Sequence, residues 1–150
     1  MILNACSSIG ELCGPVGDVV GMPVIRVDTA MAAQAVQLGK IVAVAATLPS
    51  TLRPTCELLA ATAQQHGRDI QIRPVLIEGA YAALLRGDRE EHDALIAQAL
   101  TAAAASADAV VLAQASMARV LPRLTPEQQA KCLTSPALAV ASVAEALRSA

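Results

Sequence analysis

The residue with the clearest capacity for chemistry is Cys6, which follows the apolar segment Met1 to Ala5 and precedes Ser7 and Ser8. This pattern indicates a strand that ends at the cysteine and a helix that begins just after it. A thiol at such a place gains from the free N–H groups and the dipole of the helix, which favour the thiolate. A thiolate can attack carbon as a nucleophile or remove a proton from it as a base. The alternative is a packing residue at a strand end.

The other three cysteines lack this setting and are predicted to be packing residues; they are Cys13, Cys56 and Cys132. No CxxC pair occurs, and His66 and His92 lie far from the cysteines in sequence, so the spacing predicts no metal site. A chain of 150 residues can build a core without disulfides. We therefore expect reduced thiols and a cytoplasmic location.

A second polar segment, from Thr47 to Thr51, follows the apolar run 41–46. Its hydroxyl groups and the free N–H groups of a helix start make a seat for a carboxylate or a phosphate. The alternative is ordinary N-capping of the helix by Ser50 or Thr51. The segment contains no glycine, so it is neither a P-loop nor a dinucleotide fingerprint.

A third polar segment contains Gln114 and Ser116 and follows the apolar run 109–113. The Gln114 amide can hold a substrate oxygen, and the alternative is a solvated or capping glutamine. In a parallel sheet the carboxyl ends of the strands meet at one edge, where ligands bind. We therefore predict that the exits at Cys6, Thr47 and Gln114 face the same side.

Apolar runs and helical segments alternate along the chain, which predicts an α/β fold with a parallel sheet and helices on both faces. Glycines and prolines between residues 14 and 23 predict a loop. The predicted strands are 1–5, 41–46, 70–76 and 109–113, and the predicted helices are 27–38, about 47–65, 81–86, 89–105, 116–121, one from 126, and a terminal helix from 137.

The composition excludes several classes of partner. Phe and Trp are absent and Tyr occurs once, so aromatic side chains cannot stack on nucleic-acid bases. The net charge of −2 is dispersed, with no basic run to follow phosphates. Apolar stretches are strand-sized or interrupted by polar residues, which predicts no membrane span. We therefore expect neither nucleic acid nor a membrane as partner.

Four segments together resemble the aspartate/glutamate/hydantoin racemase superfamily: residues 4–11, 25–32, 44–51 and 111–118. The resemblance implies two pseudo-symmetric α/β halves with a small carboxylate-bearing substrate in the cleft between them. Each half supplies one cysteine, and the two thiols transfer protons at the carbon next to the carboxylate, with no cofactor. By this resemblance the protein is a racemase or epimerase, and a homodimer is a possible assembly.

The resemblance also assigns the chain to parts of that fold. Residues 1–39 correspond to an incomplete first half with its linking helix, residues 40–136 to the second half, and residues 137–150 to a terminal helix that packs back on the first half. The family usually has further strands and helices before the segment equivalent to 1–5. We therefore expect a cleft that lacks part of one wall, and an unpaired sheet edge.

The resemblance assigns the catalytic role to Cys6 and the binding of substrate carboxylate to Thr47 and to Ser50 or Thr51. Because the three polar exits are predicted to face one edge of the sheet, we expect further residues of these exits to orient carboxylates as well: Ser7, Ser8, Gln114 and Ser116. Gln114 occupies the position of the second-half cysteine, and an amide does not act as acid or base at neutral pH. Two alternatives to racemisation follow. One is a one-thiol decarboxylase or cis-trans isomerase of the same superfamily, and the other is a non-catalytic carboxylate-binding remnant.

Overall fold

Two parallel sheets organise the computed structural model, which describes residues 1–148. The first sheet joins β1 (Ile2–Asn4) to β2 (Val24–Arg26). The second sheet has the order β4–β3–β5–β6, and its strands are β3 (Ile41–Ala46), β4 (Gln71–Leu76), β5 (Ala109–Leu112) and β6 (Cys132–Leu133). Every pairing in the two sheets is parallel.

Helices occupy most of the remaining chain. The α-helices are α1 (Cys13–Val20), α2 (Thr29–Leu38), α3 (Pro49–Gln65), α4 (Ala80–Leu85), α5 (Arg89–Ser106), α6 (Pro126–Lys131) and α7 (Ser135–Arg148), and 3-10 helices span Ser7–Leu12 and Ala115–Arg123. The predicted α/β class with parallel strands is therefore confirmed.

The central strand β3 is buried on both faces. Successive side chains of a strand point to opposite sides of the sheet. Val42 and Val44 accordingly belong to one apolar cluster with Leu59 of α3, whereas Ala43 and Ala45 belong to another cluster with residues of α5. Helices thus cover both faces, as predicted. This double burial is the reason that the strand reads as a continuous apolar run rather than an alternating one.

The prediction of a loop over residues 14–23 is wrong, because α1 occupies most of that segment. Pro15 lies in the first turn of α1, where a missing N–H costs no intrahelical hydrogen bond. Gly21 has φ +66° and ends the helix in the left-handed conformation that glycine adopts without strain. The glycine and proline pattern thus marks the two ends of a short helix.

Two short strands were also missed. The predicted helix from residue 27 begins at Thr29, and β2 precedes it. The two residues of β6 pair with Val110 and Val111 of β5, and α7 begins at Ser135 rather than at residue 137. Strands of two or three residues contain too few positions to show a period of two, so pattern analysis does not detect them.

Helix α7 packs against α2, the helix that lies between the two sheets in sequence. Buried Ala139 and half-buried Leu138 are on its first turns, and Leu138 joins the cluster that contains Val42. The domain boundaries at residues 39 and 136 stay predictions, and the last two residues of the predicted terminal segment, 149 and 150, lie outside the described residues. No helix within residues 1–148 is long and apolar enough to cross a lipid bilayer.

Candidate active site

A cavity of about 230 Å³ lies where the polar strand exits converge. It is lined by Ala5, Cys6, Ser7, Ser8, Val27, Thr51, Ala113, Gln114, Ala115, Ser116 and Ser135. Six of the eight residues singled out from the sequence are in this wall. The remaining two are not, since Thr47 is buried behind the wall and Ser50 is exposed elsewhere on α3.

Cys6 stands at the entrance of the 3-10 helix Ser7–Leu12, in extended conformation with φ −115° and ψ 108°. The side chain of Asn4 brackets it. Asn4 Oδ1 accepts a hydrogen bond from the Cys6 N–H at 3.1 Å, and Asn4 Nδ2 donates to the Cys6 carbonyl at 3.1 Å. Asn4 therefore holds the cysteine backbone on both sides. Sequence analysis did not single out Asn4, although an asparagine two residues before a turn is a common backbone-capping pattern.

The start of α3 lies beside the 3-10 helix in the cavity wall. Ser8 Oγ and Thr51 Oγ1 lie 3.4 Å apart and share a hydrogen bond, which ties the Cys6 loop to that helix. Thr51 is buried, and its N–H donates to the Leu48 carbonyl at 3.2 Å. The two hydroxyl groups thus lie together at the edge of the cavity. One of them donates to the other, so the proton of the accepting hydroxyl is free for a ligand.

Gln114 is held in one orientation by Thr47. The Thr47 N–H and the Thr47 hydroxyl both donate to Gln114 Oε1, at 2.7 and 3.0 Å. Because the amide oxygen is occupied by two donors, the Gln114 Nε2 group is the free end of the side chain, and it makes no hydrogen bond to any of residues 1–148. Gln114 therefore offers the cavity donors rather than an acceptor.

A buried ion pair between Arg26 and Asp28 packs against the 3-10 helix that follows Cys6. Arg26, the last residue of β2, donates to both carboxylate oxygens of Asp28 at 3.0 and 3.1 Å, and the Asp28 side chain is 0% exposed. The guanidinium group lies directly on Gly10, where a Cβ atom would overlap it. The pair thus joins the 3-10 helix to the start of α2. Nothing in the local pattern of Arg26 and Asp28 distinguishes a buried pair from a solvated one.

The cavity wall contains no charged side chain. A bound anion would therefore be met by hydroxyl groups, the Gln114 amide and backbone N–H groups, all of which are dipoles. Cys6 is the single lining residue that is not a serine, threonine, glutamine or aliphatic residue, and its thiol is the one group of the wall that can act as a nucleophile or a base. Within the described part of the chain, no three His, Cys, Asp or Glu side chains group together in a way that could hold a metal ion.

Iodoacetamide at about pH 8 is expected to modify Cys6 before Cys132. Cys6 is exposed, whereas burial raises the pKa of the Cys132 thiol to about 11. Only about one Cys132 side chain in a thousand is then a thiolate at that pH, and the thiolate is the reactive form. Burial and the neighbouring Glu57 carboxylate also raise the pKa of Cys56. Peptide mass spectrometry over time gives the order, and modification of Cys132 before Cys6 would contradict this expectation.

A family model described as Asp/Glu/Hydantoin racemase matches residues 1–143 of the 150. A search of curated proteins finds no match to the chain.

Proposed function

The chain belongs to the Asp/Glu/hydantoin racemase family, and we propose that it transfers a proton at the carbon next to a carboxylate of a small acid, with Cys6 as the acid and base. At family level this is racemase-type isomerase chemistry. The observation that carries the proposal is that Cys6 supplies the one thiol in the wall of a small cavity lined by neutral hydrogen-bond donors. The proposal includes a reducing, cytoplasmic location, which keeps the thiol free, and involves no cofactor.

The proposed step begins with the Cys6 thiolate. It removes the proton from the carbon next to the carboxylate, and the electron pair of the C–H bond spreads onto the carboxylate oxygens. Ser8, Thr51 and Gln114 Nε2 are positioned around the cavity to donate hydrogen bonds to that growing charge. Donors that are already oriented when the charge develops stabilise the transition state more than the ground state. The Cys6 thiol then returns a proton to the carbon. Return to the same face regenerates the starting enantiomer, whereas return after the planar intermediate has turned over in the cavity gives the mirror image.

Thr47 has a different role in this proposal from the direct substrate contact expected from the sequence. It is a positioning residue, because its two hydrogen bonds to Gln114 Oε1 turn the amide donors of Gln114 toward the cavity. Ser50 is exposed and makes no contribution to the proposed cavity chemistry. Ser7 and Ser116 line the wall and are proposed as further donors to the substrate carboxylate.

A one-thiol decarboxylation is the second candidate, and the fixed Gln114 amide is the observation that favours it. The wall contains no second acid or base to serve the other face of the substrate, so protonation from one face is the simpler outcome. In that reaction carbon dioxide leaves, its bonding electron pair stays on the carbon, and the Cys6 thiol supplies the proton. A cis-trans isomerisation by thiolate attack uses the same single sulfur.

Racemisation and decarboxylation can be distinguished by incubating the protein in deuterated water with two kinds of substrate. One is a small chiral acid, and the other is a diacid with both carboxyl groups on one carbon. We expect deuterium at the carbon next to the carboxylate, detected by proton NMR and by chiral chromatography of the product. Both enantiomers carrying label indicate racemisation, and one labelled enantiomer with release of carbon dioxide indicates decarboxylation. Binding of acids without label or product would contradict the proposed function and indicate a non-catalytic carboxylate-binding protein. The Cys56→Ser variant, altered at a half-buried thiol outside the cavity wall, serves as the matched control.

A further inference from the structure

Ser135 is a residue of the cavity wall that the sequence analysis missed and that the proposed proton transfer does not use. It comes two residues after Leu133 of β6, which pairs in parallel with β5. Ser135 and Gln114 therefore follow strands that end at the same edge of the sheet. Ser135 is only 4% exposed, and it lines the same cavity as Cys6.

The hydroxyl group of Ser135 makes no hydrogen bond to any of the described residues, and Ser135 is part of the cavity lining. Among those residues no buried side-chain oxygen or nitrogen is both sealed and unpartnered, so Ser135 Oγ must reach open space. The cavity is the space that Ser135 lines. A nearly buried hydroxyl group is normally hydrogen-bonded, so this one is free for a ligand.

The same residue begins α7, a helix of 14 residues. The N–H groups in the first turn of a helix have no acceptor within the helix, and they carry a partial positive charge. Pro136 has no N–H, so the free donors of this turn are on Ser135, Ala137 and Leu138. No acidic side chain occupies the first turn, so its partial charge is not already compensated there.

We propose that Ser135 and the first turn of α7 form an oxyanion subsite that holds a carboxylate group of the substrate. The Ser135 hydroxyl donates to one carboxylate oxygen, and the free N–H groups of the turn meet the remaining charge. The subsite lies on the wall formed by β6 and α7, whereas Ser8 and Thr51 lie on the wall formed by the Cys6 loop and α3. This inference rests on the proposed function, because it names where the substrate anion is held.

Titration of the ¹⁵N-labelled protein with malonate tests the subsite directly. We expect the amide resonances of Ala137 and Leu138 to shift with malonate and to stay unchanged with malonamide, its neutral analogue. Ser135→Ala should weaken malonate binding about tenfold, because one hydrogen bond to a charged group is lost. Ser142→Ala, at an exposed position of the same helix, is the matched control and should bind as the wild type does. Ser135→Thr restores the hydroxyl group and should recover most of the affinity.

The proposed proton transfer and the proposed Ser135 subsite can be contradicted independently of each other. If malonate leaves the Ala137 and Leu138 amides of the wild-type protein unshifted, or if Ser135→Ala binds malonate as tightly as the wild type, the subsite is wrong. The deuterium-exchange assay tests proton transfer independently of the amide shifts and of the affinity of Ser135→Ala for malonate. Absence of exchange together with malonate-dependent shifts at Ala137 would contradict the proposed function and leave the subsite standing. The amide spectrum of Ser135→Ala also reports directly whether that variant is folded.

Discussion

Replacing Cys6 with serine is expected to lower kcat for the acid identified by deuterium exchange by a factor of about 10²–10⁴. The serine hydroxyl has nearly the size of the thiol and still forms hydrogen bonds, so KM should change little. It does not ionise near neutral pH, so it neither removes nor delivers the proton. The loss should therefore appear in kcat and kcat/KM equally, as expected when an interaction acts only in the transition state.

The Cys6→Ser experiment needs a control for general effects of removing a thiol. Cys56→Ser changes a thiol that is outside the cavity wall and whose pKa is raised by burial, so it should retain wild-type kcat. Deuterium incorporation by Cys6→Ser at the wild-type rate would contradict the role assigned to Cys6. A comparable loss in Cys56→Ser would show that the effect comes from the fold and not from the site.

Arg26→Met is expected to lower the free energy of unfolding by about 3–5 kcal/mol. The change leaves the Asp28 carboxylate, whose side chain is 0% exposed, without the two hydrogen bonds that compensate its burial. Methionine retains an apolar side chain of similar reach, so the expected loss comes mainly from the uncompensated charge. Urea unfolding followed by circular dichroism measures the difference.

An exposed ion pair on α3 provides the matched control for Arg26→Met. Arg53 donates to Glu57 at 2.8 Å, and these side chains are 69% and 53% exposed. Arg53→Met should change the unfolding free energy by only about 0.5 kcal/mol or less, because solvent screens the pair. Adding Asp28→Asn to Arg26→Met should recover part of the stability, since it removes the orphaned charge. No recovery would indicate that Arg26 acts through packing alone.

Gly10→Ala tests whether the Arg26–Asp28 ion pair depends on the absence of a side chain at position 10. A Cβ atom at position 10 would overlap the Arg26 guanidinium group, and the arginine cannot move away without loosening its hydrogen bonds to Asp28. The substitution should therefore destabilise the wild-type protein clearly and the Arg26→Met variant much less. Equal losses in the two backgrounds would show that the glycine and the ion pair are independent.

Long apolar runs and helix-start signals were predicted correctly because their causes are local. The run 41–46 is recognisable as six consecutive apolar residues, and the start of α3 near Pro49 follows from hydroxyl residues and a proline at a helix entrance. The position of Cys6 between β1 and a helical turn was predicted for the same reason, although that turn is a 3-10 helix. Each of these features depends on residues that are adjacent along the chain.

The contacts that shape the cavity were decided by tertiary structure alone. Thr47 and Gln114 are 67 positions apart, and their hydrogen bonds depend on the register between β3 and β5. Ser135 reaches the cavity because the two-residue strand β6 aligns with β5, which no local pattern indicates. The sequence was thus sufficient for the order of the longer strands and helices and for the position of Cys6 at a strand exit. Which dipoles surround that thiol depends on strand register and burial, and these arise only when distant segments pack together.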